Sequence, residues 1–290
     1  MKDKVVLITG ATSGIGKQTA LALAKMGARV ILVGRSEKSG TAAVGEITRL
    51  SENSKVDLLL ADVSKQADIK ALASHVKEKY DRLDVLINNA GLAAPKRQLT
   101  EDGVESNFAV NVVAPFLLTQ LLLDALKNSP SARVITLMGG DVPSKLETDN
   151  LQSERNFDGL NSYSQSKLAM MLVMYEFSQQ MQGSSITMNC CYPGQASTNM
   201  TRSVTSEMLP KAMRWIFPLF RLMTRPDNGK SAAKAAQSSI FLATSDEVEG
   251  VTGKYFNTKC KETPMPNVVF DSEVRQKLWA QVHQLTGVPA

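Results

Sequence analysis

Four apolar residues, Val5-Val6-Leu7-Ile8, lead into Thr9-Gly10. Then come Gly10-Ala11-Thr12-Ser13-Gly14-Ile15-Gly16 and helical periodicity from Lys17 to Met26. A continuous apolar run that ends at glycine predicts a strand covered on both faces, which implies a parallel sheet. The glycines permit a tight turn and close approach of a ligand, and a helix start just beyond offers unpaired N–H groups to an anion. Strand, glycine turn and helix together are the parts of a dinucleotide-binding first unit. The spacing is Gly-x-x-x-Gly-x-Gly rather than the commoner Gly-x-Gly-x-x-Gly.

The alternation continues. Arg29 to Val33, Val56 to Leu60, Leu83 to Ile87, Arg133 to Leu137 and Ser185 to Cys191 read as strands. Ser39 to Leu50 and Lys65 to Tyr80 read as helices. A long helix, capped from Leu99-Thr100-Glu101-Asp102, runs to about Asn128 and bends near Pro115. Met138 to Asn161 reads as irregular. Ser162 is placed to cap a helix running to about Gln182. A helix over Lys230 to Thr244, a strand at Lys254 to Phe256 and a helix over Ser272 to Thr286 close the chain. The expectation is one doubly wound α/β Rossmann domain over residues 1–290, with a mostly parallel seven-stranded sheet. A small helical lid is expected at about 198–230, after strand six.

The second strand is followed by Gly34-Arg35-Ser36, where an NAD site usually carries an acidic residue for the ribose 2′-hydroxyl. An arginine here suits a 2′-phosphate, so NADP(H) is favoured. Lys17 adds charge beside the glycine turn. Tyr163 and Lys167 stand four apart on a predicted helix and so share a face. An adjacent cation favours the phenolate, which makes Tyr163 a candidate proton donor or acceptor. Asn107 and Asn111 place two amides on one face of an apolar helix, where each needs a partner or a task.

Formal net charge is +5, from 33 basic and 28 acidic residues among 290. That suits an anionic cofactor or membrane surface and is no nucleic-acid signature. Three cysteines without a Cys-x-x-Cys or Cys/His cluster suit a reduced compartment and no metal. His75 and His283 read as surface-helix residues. With no signal-peptide pattern and no apolar run judged long enough for a bilayer, a soluble cytoplasmic location is expected.

In sum, the chain resembles the short-chain dehydrogenase/reductase family. The resemblance rests on Thr9-Gly10-x-x-x-Gly14-Ile15-Gly16, Asp62, Asn88-Asn89-Ala90-Gly91, Asn111, Tyr163-x-x-x-Lys167 and Pro193-Gly194-x-x-x-Thr198, in that order. Asn150-Leu151-Gln152-Ser153-Glu154, Tyr163-Ser164-Gln165-Ser166-Lys167-Leu168-Ala169, Gly253-Lys254-Tyr255-Phe256 and the long insert before Tyr163 are similar to the retinol-dehydrogenase-like branch. The resemblance implies that Thr12, Ser13 and Ile15 cradle the pyrophosphate, and that Arg35 and Ser36 meet the 2′-phosphate. It places Asp62 and Val63 at the adenine, and Asn89, Ala90 and the adjoining Gly91 at the neighbouring ribose. By the same resemblance, Tyr163 is expected to exchange the proton. Lys167 is expected to bind the nicotinamide ribose and lower the tyrosine pKa, Asn111 to hold a water linking Lys167 to solvent, and Pro193, Gly194 and Thr198 to frame the nicotinamide.

One expected group is missing. The family ends strand five with a serine that hydrogen-bonds the substrate carbonyl. Here Gly139 stands at that point, or Met138 if the register slips by one. Loss of such a donor costs about 10²–10³ in rate. Ser144, Ser162 or a backbone N–H of Gly139-Gly140 are the candidate substitutes.

Between Thr198 and Lys230, Met208, Leu209, Met213, Trp215, Ile216, Phe217, Leu219, Phe220, Leu222 and Met223 alternate with Lys211, Arg214, Arg221 and Arg225. The pattern reads as core or a homodimer contact, as a lid over a lipophilic substrate, or as a peripheral membrane contact through 208–225. The lid is favoured. The functional expectation is an NADP(H)-dependent oxidoreductase interconverting a lipophilic alcohol and carbonyl. A non-redox isomerase, dehydratase or cyclase, or a nucleotide-binding protein, on the same scaffold are the alternatives.

Overall fold

The computed structural model describes residues 1–139, 142–194, 196, 205–206, 215, 217–218, 227 and 229–288. Its centre is a parallel sheet. The strands are β1 (Val5–Thr9), β2 (Arg29–Gly34), β3 (Val56–Leu60), β4 (Val85–Asn88), β5 (Ala132–Leu137), β6 (Ile186–Cys191) and β7 (Tyr255–Phe256). Their order is β3-β2-β1-β4-β5-β6-β7, with Val6 opposite Val30 on one side and Val85 on the other. The order reverses between β1 and β4, and in open α/β sheets ligands bind at the carboxyl ends of the strands beside that reversal.

Continuous apolar strands form because both faces are covered. Leu7 packs into one hydrophobic layer while Val6 and Ile8 pack into the other. One face carries α1 (Gly14–Lys25) and α2 (Glu37–Ser51). In α1 the buried positions are Gly16, Thr19, Ala20, Leu23 and Ala24, a single stripe at helical spacing. The other face carries α3 (Gln66–Lys79), α5 (Ala114–Lys127) and α6 (Gly159–Gln180). The last helix, α9 (Ser272–Thr286), lays Trp279 edge-on against Phe116 of α5 and Phe177 of α6, with ring centroids 5.1 and 4.7 Å apart.

Several local expectations are corrected. The helix expected from Leu99 starts instead as one turn, α4 (Ser106–Phe108), capped by Glu105. Its carboxylate accepts from Asn107 N and Phe108 N, and residues before it pair as a Leu99–Glu105 bridge. The irregularity in this stretch is a π-helical turn over Ala109–Val113, just before Pro115. Helix α6 begins at Gly159 with Asp158 as its cap, because the Asp158 carboxylate reaches Asn161 N at 2.8 Å. The expected helix over Lys230 to Thr244 is two, α7 (Lys230–Ala235) and α8 (Gln237–Thr244). His283 is no surface residue. It is buried against Phe116 and Trp279, and Nδ1 pairs with Val288 O at 3.1 Å.

One segment, Ser106–Lys127, does have the length and apolar character to cross a membrane, with mean hydropathy 1.7. That window is 78% buried inside the fold, which is what a core helix shows. The residues from β5 to α6 fasten to their surroundings at several points. Arg97 Nε donates to Gln152 O at 3.0 Å, and Gln281 Nε2 donates to Thr148 O at 3.2 Å. Thr198 and most of the expected lid lie outside the described residues.

Candidate active site

At the carboxyl edge of β1 the chain turns through Gly10 and Gly14, both at positive φ (64° and 56°). The turn is held from β4. Asn89 Nδ2 donates to Thr9 O at 2.7 Å and Gly10 O at 3.2 Å, and Thr9 Oγ1 accepts from Asn89 N and Ala90 N. A β-carbon on Gly16 would sit 2.5 Å from Asn89 Nδ2 and 2.6 Å from Gly10 O, so the helix can approach only because this residue has no side chain. Ser13 stands at the N-cap of α1 with no side-chain cap bond, and the first turn carries no acidic residue. The helix start is therefore open to an anion.

At the end of β2, Arg35 lies 75% exposed with Asp62 3.8 Å away. Ser36 caps α2 through Ser39 N. Lys17 pairs with Glu46 at 2.9 Å, so its charge is partly committed. Asp62 accepts from both the backbone and the hydroxyl of Ser64. Val63 and Ala90 line one narrow apolar cleft with Asn88 and Val110. These groups fit a nicotinamide dinucleotide: a glycine-lined turn, an uncapped helix start and an exposed guanidinium in order along one sheet edge.

Further along the same edge, successive turns of α6 carry Tyr163 and Lys167. Lys167 is 5% exposed and donates to Leu137 O at 3.1 Å. Its ammonium lies 5.9 Å from the centre of the Tyr163 ring. Asn111, in the π-helical turn, accepts from Leu92 N and donates to Leu92 O and to Ser166 Oγ at 2.9 Å. Ser166 in turn donates to Tyr163 O at 2.6 Å. The Asn111 side chain is thus a clamp between the loop after β4 and the backbone of the tyrosine turn. Asn107, one turn earlier, holds the same loop by accepting from Ala94 N at 2.8 Å. Sequence reasoning passed over Ser166 and Thr9. Small hydroxyls within a helix and at a strand end carry no signal until their partners, distant in sequence, are in place.

Burial dominates the electrostatics of the pair. It pushes the Tyr163 phenol up to about 12, with Tyr192 adding to the shift. It lowers the Lys167 ammonium to about 8, against the favourable influence of Cys190 and Cys191. The expectation that the lysine holds the phenol low is therefore reversed. The ammonium is turned to Leu137 O, and loss of hydration penalises both charges. A phenol that stays neutral at pH 7 is able to donate a proton.

Lys167 also makes a stability prediction. Its folded pKa, about 8, lies below the ordinary 10.5, so the unfolded chain binds more protons between these values and stability rises with pH across that window. Lys167→Met is expected to stabilise the fold at pH 7 by on the order of 2 kcal/mol, and to remove the wild-type rise between pH 8 and 10. Chemical denaturation of both proteins across that range checks it. Loss of stability on substitution would show instead that the bond to Leu137 O outweighs the buried charge.

The expected substitutes for the missing serine are elsewhere. Ser162 is buried and paired with Ser153 at 2.6 Å. Ser144 is exposed, and Met138 is a core side chain whose N–H bonds Cys191 O. Gly140 lies outside the described residues. Pro193 and Gly194 follow β6 at the same edge, with Gly194 at φ 82°. Among the described residues no cluster of three or more His, Cys, Asp or Glu could hold a metal.

Fold order, glycine turn and tyrosine helix agree with the outcome of comparison: residues 4–209 match the short chain dehydrogenase family, and the chain belongs to it. The retinol-dehydrogenase-like branch is the one it resembles most clearly. Retinol dehydrogenase 13 of Homo sapiens is 38% identical over 289 residues, covering 99% of this chain and 86% of that protein. Polyprenol dehydrogenase of Homo sapiens is 35% identical, with the same two coverages. A short chain dehydrogenase from Escherichia coli CFT073, solved in complex with NADPH, superposes with a TM-score of 0.66 at 26% identity. It covers 89% of this chain and 98% of that one. The chain thus has an oxidoreductase scaffold of a family that binds nicotinamide cofactors.

Proposed function

We propose that the protein is an NADP(H)-dependent oxidoreductase interconverting a lipophilic alcohol and carbonyl. The observation that carries this reading is the neutral Tyr163 phenol beside the buried Lys167, on a turn braced through Ser166 by Asn111. Tyr163 hands its proton to the substrate oxygen in reduction and recovers it in oxidation. Lys167, 5.9 Å from the ring centre, binds the nicotinamide ribose in this reading, and Asn111 keeps the turn from shifting. NADPH, when bound, supplies the hydride. Thr12, Ser13, Ile15 and the open start of α1 hold the pyrophosphate, and Pro193, Gly194 and Thr198 the nicotinamide. Asp62, Val63, Asn89, Ala90 and Gly91 flank the adenine and its ribose.

The exposed guanidinium of Arg35, followed by Ser36, supports NADP(H) over NAD(H), as does the likeness to a relative solved with NADPH. Arg35→Ala is expected to weaken NADPH binding about 10–100-fold, the worth of a charge-assisted contact, and to leave NADH binding unchanged. Nucleotide fluorescence titration reads both. Equal losses for the two nucleotides would remove the 2′-phosphate role.

A lipophilic substrate is supported by the apolar 208–225 stretch, by Trp215 at 80% exposure, and by relatives named for retinol and polyprenol. The same stretch suits peripheral contact with a membrane from the cytoplasmic side. NADPH oxidation with a panel of long-chain and isoprenoid aldehydes and ketones tests the reaction. A non-redox enzyme is the second reading, favoured by the lack of a side chain at Gly139. It requires product to form with no net change in nicotinamide absorbance.

A further inference from the structure

We propose that Gly139 is a positioning residue for the proton donor: Tyr163 occupies the space that any side chain at the end of β5 would need. This inference rests on the oxidoreductase reading above for its kinetic consequences, but not for its geometry. A β-carbon added to Gly139 would fall on the Tyr163 hydroxyl, 2.6 Å from Cζ and 3.0 Å from Cε1. The backbone does not ask for glycine here. Gly139 is not at positive φ, unlike Gly10, Gly14 and Gly194. The demand comes from the phenol alone.

The backbone on either side cannot yield, so it is the phenol that must move. The tyrosine turn is tied to Asn111 through Ser166, and Lys167, one turn on, is tied to Leu137 O, two residues from Gly139. Helix and strand end are therefore fixed to each other across the spot where residue 139 and the phenol meet. A serine at 139 would not add a second donor to an undisturbed site. It would push the first donor out of place. Glycine at this position and the present seat of Tyr163 are one arrangement, in which the phenol itself lies against the strand end. Neither expected hydroxyl takes over the missing serine's place, since Ser162 is paired with Ser153 and Ser144 is exposed.

The test uses Gly139→Ala and Gly139→Ser in the full chain, with Tyr163→Phe and the Gly139→Ser/Tyr163→Phe double variant. Both single variants at 139 are expected to lose on the order of 10²-fold in kcat, as displaced catalytic groups do, with NADPH affinity unchanged. The double variant should be no slower than Tyr163→Phe, because the loss acts through the phenol. An ultraviolet difference titration, read against Tyr163→Phe, should show phenol ionisation moved from its wild-type pH in Gly139→Ala. A Gly139→Ser protein at least as active as wild type, with an unshifted phenol titration, overturns the proposal. So does a double variant markedly slower than Tyr163→Phe. If the wild-type chain turns over no carbonyl, the oxidoreductase reading falls, and the phenol titration alone decides the positioning role.

Discussion

Tyr163→Phe is expected to lower carbonyl reduction about 10²–10⁴-fold while leaving NADPH binding intact. On the proposed reading the phenol is the proton source, and phenylalanine keeps the ring without the acid. The anchors of the turn are backbone and side-chain groups that this change does not touch. Ser166 bonds the carbonyl of residue 163 rather than its ring, and Lys167 bonds Leu137 O. The variant should therefore fold as the wild type does. The pH profile follows from the burial of the pair. With the phenol held up to about 12, the acid form persists through the neutral range, so reduction should not fall off at mild alkaline pH for want of a proton on Tyr163. Single-turnover measurement of NADPH oxidation separates this step from binding. Retention of most of the wild-type rate would move proton transfer to another group.

The second large effect is on stability and lies at the opposite edge of the sheet. Asp84, just before β4, is fully buried. Its carboxylate accepts from Val5 N at 2.9 Å, Ser129 Oγ at 2.8 Å, Lys4 Nζ at 3.2 Å and Arg82 Nε at 3.2 Å. Burial pushes its pKa up, but the Val5 N–H, Ser129, Lys4 and Arg82 outweigh that and hold it below the usual carboxylate range. Removing a buried, fully bonded charge strands its partners and costs about 3–5 kcal/mol. Asp84→Ala is expected to lose that much in urea denaturation. A carboxyl with a depressed folded pKa contributes stability above its unfolded pKa, near ~4, and loses it as pH falls through the folded value. Wild type should therefore weaken below that pH more steeply than Asp84→Ala. A loss below about 1 kcal/mol would mean the site is no more than a surface ion pair.

The two predictions differ in how far the sequence foretold them. Tyr163 and Lys167 are legible at four-residue spacing, because a helix turns spacing directly into a shared face. Asp84 gives no such signal. Its donors come from residues 4, 5, 82 and 129, and only closure of the sheet brings them together. The same holds for the serine question. The gap at Gly139 can be read along the chain, but that Tyr163 fills it cannot, since 23 residues of insert and helix start separate the two.

Local pattern determined the architecture. Apolar runs ending in glycine, helices of the right period between them and the Gly10-to-Gly16 turn admit few folds other than a doubly wound parallel sheet. They also fix which edge of the sheet carries the site, because the strand ends are written in the sequence. Helix starts were less legible. Glu105 and Asp158 won the caps over the Leu99-Thr100-Glu101-Asp102 stretch and Ser162 through contacts of each helix with its own first turn. Tertiary structure alone decided the chemistry of the pair. A neighbouring cation predicts a lowered phenol pKa, but burial, a property of everything packed around α6, raises it and lowers the lysine instead. Desolvation, close approach and hydrogen bonds between distant residues depend on the whole fold, and no stretch of sequence encodes them by itself.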